Sequence, residues 1–147
     1  MADLLPPAKL LAHTPPMILI DEVVEYAPPR IVCRVGLRPD SLFVEDGQVP
    51  ALLCVEYMAQ AVGCFAGFVR LARGQAVRIG YLLGAREIKL EADHLEVGDE
   101  VLVEAERLFG ESTFGTFRCA VSVKGRPVAS GVLNIFQSPD EEEVPNP

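Results

Sequence analysis

Basic residues are scarce in this chain: 13 Lys and Arg stand against 21 Asp and Glu in 147 residues, for a net charge of -8. Nucleic acids are gripped through phosphates by clustered Lys and Arg, so this balance argues against a nucleic-acid partner. An acidic protein partner would have to find a local basic patch. Arg70, Arg73, Arg78 and Arg86, with Lys89 just beyond, are close enough in sequence to form one, or to be ordinary surface charges. Paired Cys-x-x-Cys spacing is also missing. Cys33, Cys54, Cys64 and Cys119 each fall in an apolar pattern, which argues against a metal-ligand reading and predicts buried thiols. Met1 is followed by Ala2-Asp3-Leu4-Leu5, without the basic region or apolar core of a signal peptide. The expected compartment is reducing cytoplasm. No internal repeat is visible, and neither metal nor cofactor is implied.

What is abundant is apolar surface: 50% of the residues are hydrophobic, enough for one sizeable core at this length. The longest run is Ala51 to Ala72, ALLCVEYMAQAVGCFAGFVRLA, which is long enough to cross a membrane. Glu56 and Gln60 lie inside it, no second span exists, and the remainder reads as strands, so a central helix of a soluble domain is expected instead. Pro50 immediately precedes it, where proline suits a helix start. Ala59, Gly63 and Gly67 recur every fourth residue and leave one face nearly bare, open to close backbone approach. A helix apolar almost all round is buried almost all round.

The strands come on both sides of it. Met17 to Tyr26 and Arg30 to Leu37 are rich in Val, Ile and Leu and are broken by Ala27-Pro28-Pro29, which reads as a hairpin. Ile79 to Leu90, Glu100 to Phe109, Phe114 to Val123 and Pro127 to Phe136 read as four more, separated by Gly-containing turns such as Gly98-Asp99 and Lys124-Gly125-Arg126. VLVEAERL and TFRCAVSV alternate apolar with polar, as half-buried strands do. The order strand, strand, helix, four strands predicts an α+β domain over residues 1–137: a curled antiparallel sheet of about six strands around one long helix. The start, MADLLPPAKLLAHTPP, is proline-broken and expected to be irregular or a short turn. The acidic end, residues 138–147, SPDEEEVPNP, has no apolar periodicity and too little to bury, and is expected to be disordered.

Three segments, in order and at conserved spacing, resemble the β-hydroxyacyl-(acyl carrier protein) dehydratases of the hotdog fold. LLAHTPPMILIDEVVEY is similar to that family's L-P-H-R-x-P-F-L-L-V-D-R-V opening, QVPALLCVEYMAQAVGCFAG to its V-M-P-G-V-L-I-I-E-A-L-A-Q helix, and YLLGAREIKLEADHLEVGDEVLVEAE to its G-x-x-x-x-x-F-x-x-P-V-x-P-G-D stretch and following strand. One feature departs. The family places a histidine, in G-H-F-P, about fourteen positions before the helix carboxylate. Here that position, counted back from Glu56, is Leu42 in PDSLFVEDGQVPA. The R-P-D-S-L-F, V-P-A and E-Y-M-A-Q segments resemble those of the divergent ApeP-like subgroup from aryl-polyene pigment clusters, and the resemblance to it spans nearly the whole chain apart from the tail.

The resemblance implies a 3-hydroxyacyl-thioester dehydratase of fatty-acid-like or polyene biosynthesis, acting on a chain held by acyl carrier protein or coenzyme A. Such a reaction needs a base for the proton beside the carbonyl, an acid for the departing hydroxyl, and donors for the developing enolate oxygen. Glu56, placed among Leu53, Val55, Met58 and Ala59, is the expected acid, made a better one by desolvation. A structural carboxylate paired with an arginine is the plainer alternative. His13 is the expected base, or a structural residue. Gln60, one turn after Glu56, is expected to hold it or a water, or to be a structural hydrogen bond. The helix-start N–H groups of Ala51 and Leu52 are expected to receive the thioester oxygen. His94, among acidic residues, is expected at the solvent. Thioester hydrolysis by a helix carboxylate, on the same scaffold, and a non-catalytic subunit that completes another dehydratase remain open. A homodimer or a heterodimer with a related hotdog chain is expected, to cover the sheet edges.

Overall fold

A computed structural model describes residues 4–110 and 114–137. A single helical turn, α1 (Pro7–Leu10), is followed by strands β1 (Glu22–Ala27) and β2 (Arg30–Gly36), a short strand β3 (Gln48–Pro50) and a 3-10 turn over Ala51–Leu53. The long helix α2 (Cys54–Ala72) comes next, then β4 (Gly80–Leu90), β5 (His94–Glu96), β6 (Glu100–Gly110), β7 (Phe114–Val123) and β8 (Arg126–Gln137). Six strands form one antiparallel sheet in the order β1-β2-β6-β7-β8-β4, and β3 and β5 pair separately.

The alternation read from the sequence sets the core. On β6, Val101, Val103 and Ala105 point inward and are fully buried, while Leu102 faces out. Their partners across the register, Val123, Val121 and Cys119 of β7, are buried too. Against this face lies α2, which packs on β2, β6, β7 and β8 through Tyr57, Met58, Ala61, Val62, Phe65 and Phe68. Register shifts in β1, β4, β6 and β7 bend the sheet, as bulges do, and help it curl around the helix.

The bare face of α2 receives the N-terminal segment. A side chain on Gly67 would collide with the backbone of Leu10, and one on Gly63 would come within 2.7 Å of the Leu11 side chain. Leu10 and Leu11 are buried there. The membrane alternative for Ala51–Ala72 gives way to a core helix wrapped by its own sheet.

The structure differs from expectation at three places. The first strand begins at Glu22 rather than Met17, because residues 17–20 are drawn to a side chain of α2 instead of a neighbouring strand. The three-residue strands β3 and β5 are too short to show periodicity. The third is β4, which begins at Gly80 rather than Ile79 and lies at the sheet edge with Tyr81, Leu82, Leu83 and Leu90 exposed. The acidic tail expected from Ser138 onward lies outside the described residues.

Candidate active site

Glu56 sits in the first turn of α2, where a carboxylate meets the positive end of the helix dipole. Gln60 follows one turn later and is 1% exposed. Its amide spans two jobs. Nε2 donates to the Met17 carbonyl at 2.8 Å and to Glu56 Oε1 at 3.0 Å, while Oε1 accepts the Leu19 N–H at 2.8 Å. Gln60 thus straps residues 17–19 across the helix and holds the carboxylate from the same side chain. Both readings of Gln60, holder of Glu56 and structural hydrogen bond, describe it.

The chain from α1 carries His13 to the same place. Its Nε2 stands 4.0 Å from Glu56 Oε1, too far for a hydrogen bond and close enough for an ion pair when the imidazole is protonated. Nδ1 is enclosed and has no hydrogen-bond partner among the described residues. His13, Glu56 and Gln60 line one cleft of about 160 Å³, together with Gly63, Arg78 and Leu82.

Desolvation of Glu56, expected from its apolar neighbours in sequence, is not supplied by this chain: the side chain is 42% exposed. The reason is helical phase, since Tyr57 and Met58 turn into the core and Glu56 turns to the rim. No arginine pairs with it among the described residues, so the structural ion-pair alternative finds no partner here. Ala51 and Leu52 are placed elsewhere. Neither lines the cleft, and the Ala51 N–H already donates to the Asp93 carbonyl at 3.0 Å, so that donor is taken within the chain. The β3–β5 pair, with Pro50 opposite His94, creates this contact, and no sequence signal announced it. Leu52 is exposed at the surface. His94 is part-exposed beside Glu96, at 3.6 Å, in keeping with its expected place at the solvent.

The five basic residues divide. Arg70 is buried and donates from Nε to the Ala76 carbonyl, Lys89 pairs with Glu91 at 3.3 Å, and Arg78 lines the cleft itself. Arg70 is therefore no surface charge. All four cysteines are buried. Burial pushes the Cys54 and Cys119 thiols up to about 12, and a hydrogen bond with Cys33, helped by burial, raises Cys64. Among the described residues no cluster of metal-ligating side chains occurs.

A curled antiparallel sheet wrapped around one long helix defines a hotdog-fold protein. Comparison with known proteins narrows this. The model of the ApeP-like family, described as ApeP dehydratase, matches residues 5–146, and the chain belongs to that family of dehydratases. The 3-hydroxyacyl-[acyl-carrier-protein] dehydratase FabZ of Ruminiclostridium cellulolyticum is 29% identical over 131 residues, covering 85% of this chain and 89% of that protein. A chain of the dehydratase heterocomplex ApeI:P from Xenorhabdus doucetiae superposes with a TM-score of 0.89 at 30% identity, covering 94% of each chain. A hypothetical thioesterase from Streptococcus pneumoniae, solved with coenzyme A, shares the fold at a TM-score of 0.60 and 15% identity, covering 80% of this chain and 84% of that one.

Proposed function

We propose that this chain removes water from a 3-hydroxyacyl thioester borne by an acyl carrier protein, in fatty-acid-like or polyene biosynthesis in the cytoplasm, with Glu56 and His13 as its acid and base. The observation that carries the reading is the 4.0 Å gap between His13 Nε2 and Glu56 Oε1 at one cleft. A gap of that size lets two proton carriers address one substrate without quenching each other in a hydrogen bond. His13 takes the proton beside the carbonyl, the C–O bond breaks, and Glu56 delivers a proton to the departing hydroxyl, giving an enoyl thioester and water. Glu56 is held by Gln60, while among the described residues His13 is held by nothing at Nδ1, so Glu56 bears the larger share.

The exposed apolar edge β4 supports assembly. Leu82 lies on this edge and also lines the cleft, so a second chain paired along β4 borders the site and supplies the desolvation that Glu56 lacks here. The second chain is a copy of this one or a related hotdog chain; the relative in the ApeI:P heterocomplex favours the latter. The same edge, with Leu42 in place of the G-H-F-P histidine, supports a second reading in which this chain completes the site of a catalytic partner. Mass spectrometry of a 3-hydroxyacyl carrier protein incubated with the pure chain decides. Loss of water supports the first reading, release of free acid marks a thioesterase, and no change alone with stimulation of a partner dehydratase establishes the second.

A further inference from the structure

Where α2 ends, its last turns and the inner face of the sheet enclose a second cleft of about 210 Å³. Arg70 and Arg73 line it from the helix and Arg107 from β6. Along β6 the inward positions run Val101, Val103, Ala105 and then Arg107, which stands opposite the core-facing Phe117 with its guanidinium 5.2 Å from the centre of the Phe65 ring. A core-facing strand position is a costly place for a charge unless something balances it. No described carboxylate does so. Among the described residues Arg73 and Arg107 form no ion pair, while Arg30, Arg34 and Arg38 each do, and no Asp or Glu lines the cleft. Nor do the helical arginines serve to close α2, because the Arg70 and Leu71 carbonyls already accept the N–H groups of Arg73, Gly74 and Gln75. Arg70 is engaged through Nε with the Ala76 carbonyl and adds its charge from a buried place.

We propose that this cleft is an oxyanion-binding site for a far end of the thioester substrate, gripped by Arg73 and Arg107. Charge selects the class. Guanidinium edges offer paired N–H donors that match the oxygens of a carboxylate or phosphate, a cation is repelled, and a neutral ligand leaves the charges unbalanced. Position selects the reach. Ala66, Ile135 and Gln137 line this cleft and the His13–Glu56 cleft alike, so the two adjoin along α2. From Glu56 to Arg70 the helix rises roughly 20 Å, at about 1.5 Å per residue, which sets the length of arm required. Two parts of such a substrate carry an oxyanion that far from the reacting carbons: a carboxylate that ends the acyl chain, and the phosphate on the arm that tethers the chain to its carrier. The arginines offer both the same partners. The link to a thioester rests on the proposed dehydration, whereas the oxyanion site itself stands on the arginines.

Amide NMR of the isotope-labelled full chain, read at Gly115 in the cleft wall, tests the site. Inorganic pyrophosphate is expected to give saturable shifts that weaken by about tenfold in Arg73→Gln and in Arg107→Gln. Arg73 is exposed, so its replacement leaves the melting temperature in place. Three thioether ligands, which neither dehydrate nor hydrolyse, then test the link to the substrate: S-dodecyl pantetheine, S-dodecyl phosphopantetheine, and S-dodecyl pantetheine ended by a carboxylate on the alkyl chain. One charged ligand is expected to bind about tenfold or more tighter than the neutral one, and the tighter of the two names the arm. Both arginine variants remove most of that preference and leave the neutral ligand's affinity as it was. Glu56→Gln keeps the pyrophosphate shifts and the preference, so failure of the dehydration reading and failure of the site are distinct results. Pyrophosphate binding that is absent or indifferent to Arg73 and Arg107 overturns the site, as does binding that emerges only when residues 138–147 are deleted, which would give the arginines to the acidic tail. Pyrophosphate binding with equal affinity for all three thioethers overturns the link to the substrate.

Discussion

Glu56 Oε1 accepts a 3.0 Å hydrogen bond from Gln60 Nε2, one turn along the same helix, and that amide also secures residues 17–19. An amide at position 56 can still accept this bond. Glu56→Gln therefore keeps the geometry and removes only the titratable proton. Dehydration is expected to fall by about 100-fold or more with an unchanged melting temperature, measured as enoyl thioester formed per unit time. A loss of stability with turnover preserved would make Glu56 structural.

His13→Asn is expected to cost less than Glu56→Gln, about tenfold, because no described group orients the imidazole through Nδ1. The double variant is expected to lose less, relative to the unaltered chain, than the product of the two single losses, since paired proton carriers are non-additive. Additive losses would show that the two act independently.

Gln60→Leu leaves the Met17 carbonyl and the Leu19 N–H, both bonded to it in a part-buried place, without their partner. Water reaches part of this segment, so urea unfolding should show a loss of about 1–3 kcal/mol in total. Proteolysis should then open the chain near residues 15–20. Unaltered stability would mean that the strap is held by packing alone.

Leu83→Lys places a charge on the most exposed apolar residue of β4, at 61% exposure. Light scattering should move from dimer to monomer, with little change in the melting temperature of the monomer itself. A dimer that persists places the interface on another surface.

Burial holds Cys54 and Cys119 up to about 12, against an ordinary 9.0. The unfolded chain releases these protons first, so the folded state holds more of them and its stability is full below pH 9 and falls as pH rises from there toward 12. Thiol titration at pH 8 should be slow for the native chain and prompt once urea unfolds it. Fast native labelling of either cysteine would contradict the burial.

Most of the fold was legible because period-two alternation and a long apolar run are strong local signals. VLVEAERL became β6 with Val101, Val103 and Ala105 inward, and Ala51–Ala72 became the central helical segment, opening as a 3-10 turn before Cys54. The site was legible only where residues share the helix. Glu56 and Gln60 are neighbours by helical spacing, and His13 joined them through a motif resemblance rather than through any pattern of its own. The blocked Ala51 N–H was not legible, since it depends on Asp93, which the β3–β5 pair brings from 42 residues away. Nor was the exposure of Glu56. Apolar neighbours in sequence do not become neighbours in space when helical phase turns them to the opposite side.

The glycine face of α2 bears on how steadily the two proton carriers are spaced. Leu10 and Leu11 lie directly against Gly67 and Gly63, and His13 follows only two residues later, while Glu56 projects from the same helix. Both groups are thus referenced to one rigid rod. The sheet can flex, or take on a second chain along β4, and the imidazole and carboxylate ride with the rod instead of being pulled apart. The tolerance of their separation is set by a contact at the far end of the helix, where a single methyl group on Gly67 would lift the N-terminal segment and detune a site three turns away.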